Sequence, residues 1–271
     1  MIKLVALDID GTLTDNEKQI PAANRDSLIA AQKRGVKVVL ASGRPTFGIR
    51  HLAEELELEN YGGFILAYNG GYIIDCKNKT AISKQYLSSE ILGELFDAAC
   101  ELDVAIITYD DEQDTILSAV DGNKWVEHEA WLNNKMKLRV VPPAEFVASV
   151  PSQLPKCLMV GEPERMAEVE PIVRARFPQL DVYRSSPFFL EVVPKGIDKA
   201  KSLEVLGNHI GITADEMAAF GDGYNDISMV KYAGLGVAMA NGCDEIKQVA
   251  NFVSRSNDEN GVAYAIEKLN I

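Results

Sequence analysis

Two carboxylates separated by a single residue, Asp8 and Asp10, follow the apolar run 4–7 and precede Gly11-Thr12-Leu13. A short apolar run of this kind predicts a buried strand. Paired acids at the end of such a strand are costly, because each opposes the other's ionisation and burial adds to the penalty. A hard cation removes the conflict, since Mg²⁺ is held by a few carboxylate oxygens together with water and substrate phosphate. A solvated Asp-Gly turn has the same local sequence, so the pair acquires meaning only with partners elsewhere.

Three other places supply candidates. Ser42-Gly43 comes directly after the apolar run 36–41. A hydroxyl and a glycine N–H there could hold one phosphate oxygen, and Arg44 beside them is a candidate for contacting a leaving group. In Lys195-Gly196-Ile197-Asp198-Lys199, Lys199 falls at the start of a predicted helix. The helix dipole disfavours a cation at that end, unless the N-terminus and the lysine hold an anion together. Lys195 and Lys201 remain alternatives for that role. The last place is Gly221-Asp222-Gly223-Tyr224-Asn225-Asp226, two more carboxylates and an amide between a predicted strand and a helix. Asp226 could cap the helix. Asp222 stands where the strand runs out, and with Asp8 and Asp10 it would complete an oxygen-rich Mg²⁺ site.

The elements that must position these residues follow from periodicity. Helices are predicted over 21–34 and 46–56, and strands over 36–41 and 64–67. Strands alternating with helices through short loops indicate an α/β fold with a parallel sheet, whose ligands bind at the carboxyl ends of the strands. Near residue 80 the rhythm changes. Helices over 90–102, 125–132 and 164–177 mix with successive strands at 104–109, 115–120, 157–160, 181–183 and 188–193, an α+β pattern. After Pro194 the alternation returns, with helices at 198–208, 226–232 and 262–269 and strands at 217–220 and 235–239. The expected organisation is a catalytic domain of residues 1–82 and 194–271 interrupted by an inserted module over 83–193. Trp125 and Trp131 read as core of that module, and the segment 184–188 as a further candidate contact for the leaving group.

Composition narrows the function classes. A chain of 271 residues can bury a large core and hold two domains. Its formal net charge of −13 opposes nucleic-acid binding, which needs Lys and Arg to neutralise phosphates. A small phosphorylated substrate is still compatible, because a local field and a net charge are separate quantities. Cysteines at 76, 100, 157 and 243 form no Cys-x-x-Cys pair, so neither zinc nor a disulfide framework is expected. No apolar run reaches membrane-spanning length and no signal-peptide pattern opens the chain, so a cytoplasmic location is expected. Oligomeric state is not legible.

Taken in order, Asp8-x-Asp10-Gly-Thr-Leu, Ser42 after an apolar strand, Lys199, and Gly221-Asp222-Gly-Tyr-Asn225-Asp226 resemble the four signatures of the haloacid dehalogenase-like (HAD) superfamily. The strings Ala-Ser-Gly-Arg-Pro at 41–45, Tyr-Asn-Gly-Gly at 68–71, Lys-Gly-Ile-Asp-Lys at 195–199 and Gly-Val-Ala-Met-Ala-Asn at 236–241 resemble its Cof-type phosphatase branch. The resemblance implies a Rossmann-like core with an inserted, mobile α/β cap of the C2 type, and Mg²⁺-dependent hydrolysis of small phosphorylated metabolites, sugar phosphates foremost, through an aspartyl-phosphate. It implies Asp8 as nucleophile and metal ligand, and Asp10 as general acid/base whose backbone carbonyl meets the metal. By the same resemblance Asp222 is a metal ligand, Ser42, Gly43, Lys199 and Asn225 bind phosphate, and Asp226 supports the site. Two other chemistries suit the same residues: a phosphomutase, and a non-enzymatic phospho-acceptor module. The length of the insert and the second acid, Asp10, weigh against the acceptor.

Overall fold

Leu4–Leu7 is a strand buried along its whole length, and it lies in the middle of an eight-stranded sheet. In spatial order the strands are Phe252–Val253, Leu235–Ala238, Met217–Gly221, Leu4–Leu7, Lys37–Ala41, Phe64–Ala67, Tyr72–Asp75 and Thr80–Lys84. The first six run parallel, as βα crossovers demand, and Phe64–Ala67 pairs antiparallel with Tyr72–Asp75. Buried strands of a parallel sheet are covered on both faces and read as unbroken apolar runs, which is why Leu4–Leu7, Lys37–Ala41 and Phe64–Ala67 stand out in sequence. The computed structural model describes residues 1–151 and 153–271. They fall into two compact units, one of residues 1–44, 49–83 and 198–271, the other of residues 45–48 and 84–197.

The first unit carries the parallel sheet. Helices Ala22–Lys33, Thr46–Glu55, Lys199–Ile210 and Gly261–Lys268 stand among its crossover elements. The core on one face joins Leu4, Ala6, Val39, Leu66 and Ala219 to Leu203 and Leu206 of Lys199–Ile210. That helix starts at a side-chain cap, Asp198. The Asp198 side chain accepts from the N–H groups of Ala200 at 2.9 Å and Lys201 at 3.1 Å, satisfying two donors that have no partner within the helix.

The second unit is a six-stranded sheet in the order Leu180–Ser186, Phe189–Pro194, Cys157–Val160, Ala105–Asp110, Thr115–Ser118 and Lys137–Val140. Helices Ser89–Glu101 and Pro163–Arg176 supply Leu92, Leu95, Met166, Val169 and Val173 to its core. Phe146 is fully buried in that core and stacks on Phe96 with ring centroids 5.3 Å apart. Lys156 and Glu191 form a buried ion pair at 2.9 Å, and Ser185 Oγ donates to Glu191 Oε1 at 2.9 Å. Two expectations need correction. Trp131 is 58% exposed rather than core, because its helix Lys124–Leu132 buries Val126 and Glu129 instead. Trp125 is half-buried and lies flat on Phe188 at 4.1 Å.

The strands Tyr72–Asp75, Thr80–Lys84 and Lys137–Val140 are additions to the predicted set. Thr80–Lys84 and Lys137–Val140 are largely exposed edge strands. Edges carry charge to discourage further pairing, so they lack the apolar signal of the central strands. No helix among the described residues is long and apolar enough to cross a membrane.

Removing a ring from the second core should be felt strongly. Phe146→Ala is expected to lower stability by about 3–5 kcal/mol, read as a fall in the denaturation midpoint in urea.

Candidate active site

Asp8 follows Leu4–Leu7, and Asp222 follows the neighbouring strand Met217–Gly221. The two strands are parallel and in register, with Leu7 opposite Phe220, and the Asp8 N–H donates to the Phe220 carbonyl at 3.0 Å. Adjacent parallel strands therefore bring together two carboxylates that are far apart in sequence. Oxygens of Asp8, Asp222 and Asp226 lie within 4.8 Å of one another.

Lys199 answers part of this charge. Its Nζ, which is wholly buried, donates to Asp8 Oδ1 at 2.7 Å and to Asp226 Oδ1 at 2.6 Å. The other lysines of the segment lie elsewhere. Lys195 donates to the Pro178 carbonyl at 2.8 Å, and Lys201 is exposed. A cation at a helix N-terminus is opposed by the dipole, and the two carboxylates compensate for it. Their charge outweighs the effect of burial and raises the Lys199 pKa above its ordinary value.

The carboxylates bear the opposite strain. Burial, followed by the charge of Asp226, pushes Asp8 well above the usual range even with Lys199 attached. Burial raises Asp222 to about 6; the Asp226 charge acts in the same direction, against a hydrogen bond from Thr12 Oγ1 at 2.7 Å. Asp226 is also bound to the loop, where its Oδ2 accepts from the N–H groups of Asp222 at 3.1 Å and Gly223 at 2.9 Å. The approach of the two loops leaves no room for a side chain at position 11. Gly11 has φ +82°, and a Cβ there would stand 2.5 Å from Asp222 Oδ2.

Asp10 lives in a different environment, and its carboxylate is not one of the three. Arg44 Nε donates to Asp10 Oδ2 at 2.8 Å, and Arg44 Nη2 to Oδ1 at 2.7 Å. Lys18 Nζ adds a contact to Oδ1 at 2.8 Å. Burial alone would raise the Asp10 pKa, but the bonds and charge of Arg44, joined by those of Lys18, hold it below the usual value.

Ser42 is buried, its N–H donates to the Leu66 carbonyl at 2.9 Å, and its Oγ accepts from the Arg44 N–H at 3.2 Å. Asn225 Nδ2 donates to Asn69 Oδ1 at 3.1 Å. The amide of Asn69 would be 3.1 Å from a Cβ on Gly43. Tyr68 and Asn69 both have left-handed backbones, φ 55° and 56°. That conformation costs about 1–3 kcal/mol for a non-glycine residue. It is held by bonds from the Tyr68 N–H to the Arg44 carbonyl and from the Asn69 N–H to the Ser42 carbonyl. Asp8, Lys199, Asp222 and Asp226 thus form one cluster, Asp10 and Arg44 a second, and Ser42, Gly43 and Asn225 adjoin Asn69. Arg184 of the second unit pairs with Glu170 at 2.8 Å.

Three residues at the site went unassigned in sequence. Thr12 and Asn69 lie inside the quoted strings Asp-Gly-Thr-Leu and Tyr-Asn-Gly-Gly, so their positions gave a signal. Lys18 gave none, being a lysine in a polar turn.

The donor set suits a hard divalent ion. Three carboxylates stand with one ammonium that bonds two of them, all the free donors are oxygens, and burial together with the Asp226 charge already raises Asp8 and Asp222. Among the described residues, Asp8, Asp222 and Asp226 form an acidic group placed to hold such an ion.

Residues 5–266 match the haloacid dehalogenase-like hydrolase family, and the chain belongs to it. A haloacid dehalogenase-like hydrolase from Bacteroides thetaiotaomicron superposes with a TM-score of 0.95 at 44% identity, over 99% of this chain and 100% of that one. The HAD subclass IIB sugar phosphatase BT4131 superposes with a TM-score of 0.82 at 27% identity, over 99% of each chain. The 5-amino-6-(5-phospho-D-ribitylamino)uracil phosphatase YcsE of Bacillus subtilis is 32% identical over 269 residues, spanning 98% of this chain and 94% of its own.

Two measurements check this site. Burial holds the Asp222 carboxyl at about 6, above the ordinary carboxylate value near 4. The folded state therefore binds the proton more tightly, and metal-free protein should lose stability as pH rises from 4 through 6. A divalent ion bound by these carboxylates would compete with that proton, so added Mg²⁺ should raise Tm more at pH 7.5 than at pH 5; thermal melts with and without chelator read both effects. Separately, Lys199→Met strands two buried carboxylates and should cost about 3–5 kcal/mol. Asp8→Asn leaves the Lys199–Asp226 pair in place and should cost less.

Proposed function

We propose that the protein is a Mg²⁺-dependent phosphatase of small phosphorylated metabolites, with sugar phosphates as the leading class, working through an aspartyl-phosphate on Asp8. The observation that carries this reading is the buried Lys199 ammonium, 2.7 Å from Asp8 within a group of three carboxylates. A phosphate dianion repels a carboxylate nucleophile, and cations at that point cancel the repulsion and stabilise charge on the transferring phosphoryl. Mg²⁺ held by Asp8, Asp222 and the Asp10 carbonyl, with Asp226 alongside, would supply most of that charge. The phosphatase YcsE and the sugar phosphatase BT4131 support the substrate class by similarity.

In this reading Asp8 attacks phosphorus in line and splits one hard displacement into two easier ones. Ser42, Gly43, Lys199 and Asn225 hold the phosphoryl oxygens. Asp10 protonates the leaving oxygen in the first half-reaction and takes a proton from the attacking water in the second. Held ionised by Arg44, Asp10 has the charge that the second half requires, and for the first half it takes up a proton from solvent as the substrate binds. We assign the first unit as the catalytic core and the second as the inserted cap.

The test is release of inorganic phosphate from p-nitrophenyl phosphate and a panel of sugar phosphates with Mg²⁺ present. Activity should vanish in Asp8→Asn while cooperative unfolding is retained; turnover in that variant would remove Asp8 as nucleophile. Conversion of a hexose 1-phosphate to its 6-phosphate without phosphate release would assign a mutase instead.

A further inference from the structure

We infer that Lys18 is a specificity-determining residue that exchanges Asp10 for an acidic group on the leaving portion of the substrate, an inference that rests on the phosphatase reading above. Asp10 receives three donors on two oxygens. Arg44 alone engages both oxygens, and its side chain is only 11% exposed. The Lys18 side chain is 43% exposed and duplicates a contact on Oδ1. It therefore adds little to the orientation of Asp10. A lysine–carboxylate pair so open to water adds little net stability, so it is easily exchanged.

Yet the chain delivers Lys18 to this point with a constructed loop. Asp15 Oδ1 accepts from the N–H groups of Glu17 and Gln19, both at 2.9 Å. The Lys18 N–H donates to the Asp15 carbonyl at 3.0 Å, and the Asp15 N–H to the Gln19 carbonyl at 2.9 Å. The Asn16 N–H donates to Asp258 Oδ1 at 3.0 Å, and the Asn16 side-chain amide bonds Asp258 as well. Lys18 itself is left-handed, φ 64°, a conformation that costs lysine more than it costs glycine.

A leaving oxygen that shares a proton with Asp10 must reach one of its two oxygens. Of the groups already there, Lys18 is the exposed one. An ammonium that gives up a carboxylate is best offset by another anion, because charge-assisted hydrogen bonds are about twice as strong as neutral ones. A hydroxyl in its place leaves a deficit. The geometry therefore favours phosphorylated metabolites that carry a second anionic group over neutral polyol phosphates of the same size.

The test compares two matched pairs: 2-phosphoglycerate with glycerol 2-phosphate, and 6-phosphogluconate with sorbitol 6-phosphate. In at least one pair kcat/KM should favour the acid by about tenfold, the value of one hydrogen bond to a charged group, with the difference lying mainly in KM. Lys18→Gly should abolish that preference through the acid's KM, leave the neutral partner within about twofold, and leave Tm unchanged or higher because glycine relieves the left-handed backbone. Lys18→Arg should restore most of the preference. Equal losses on both members of a pair, no preference for the acid in either pair, or a fall in Tm for Lys18→Gly would each overturn the assignment while leaving the phosphatase reading intact. Wild-type protein inert toward all four compounds and toward p-nitrophenyl phosphate would overturn both.

Discussion

One ammonium shared by two buried carboxylates organises the centre of this protein. Lys199 is bonded to Asp8 and Asp226 at 2.7 and 2.6 Å, and a third carboxylate, Asp222, stands in the same cluster. A buried ion pair contributes little net stability once desolvation is counted, but losing one partner leaves a bare charge inside. The three segments that bear these residues are thus bound to one another by a penalty for separation as much as by attraction. The cluster is also short of positive charge, three carboxylates standing against one ammonium.

Two aspartates two residues apart have been given opposite surroundings. Asp8 is walled in by burial and other carboxylates, and Asp10 is gripped by a guanidinium and an ammonium. Neighbouring acids whose environments push them in different directions can hold different protonation states at one pH. The backbone achieves this by ending the strand at Leu7, just before the pair. Asp8 still follows Leu4–Leu7 in the plane of the sheet, where its N–H bonds the Phe220 carbonyl, while Asp10 has entered the turn that leads to the Lys18 loop.

Much of this was legible in sequence because the signals were chemically unusual for their places. Asp8 and Asp222 are acids where apolar strands run out, and Lys199 is a cation where a helix begins. The central strands were legible because burial on both faces leaves an unbroken apolar run. What stayed hidden depends on tertiary context. Lys18 reaches Asp10 only because a turn closed by Asp15 and pinned by Asp258 aims it there. The edge strand Lys137–Val140 alternates charge and aliphatic residues and buries little, so its pairing with Thr115–Ser118 is visible only in the sheet. Trp131 reads as core by residue type, but the direction its helix faces leaves it in water.

The placement of Leu4–Leu7 at the middle of its sheet has a consequence for biosynthesis. One flanking strand, Lys37–Ala41, leaves the ribosome soon afterwards, but the other, Met217–Gly221, comes near the end of the chain. At about 5–20 residues per second, the nascent N-terminal strand waits roughly 10–40 s for that neighbour. The second unit, whose strands all lie between, is translated in full during the interval. An unfilled position beside a fully apolar strand is a hazard for wrong pairing, so the centre of the molecule is the part whose nascent chain most needs shelter from other chains.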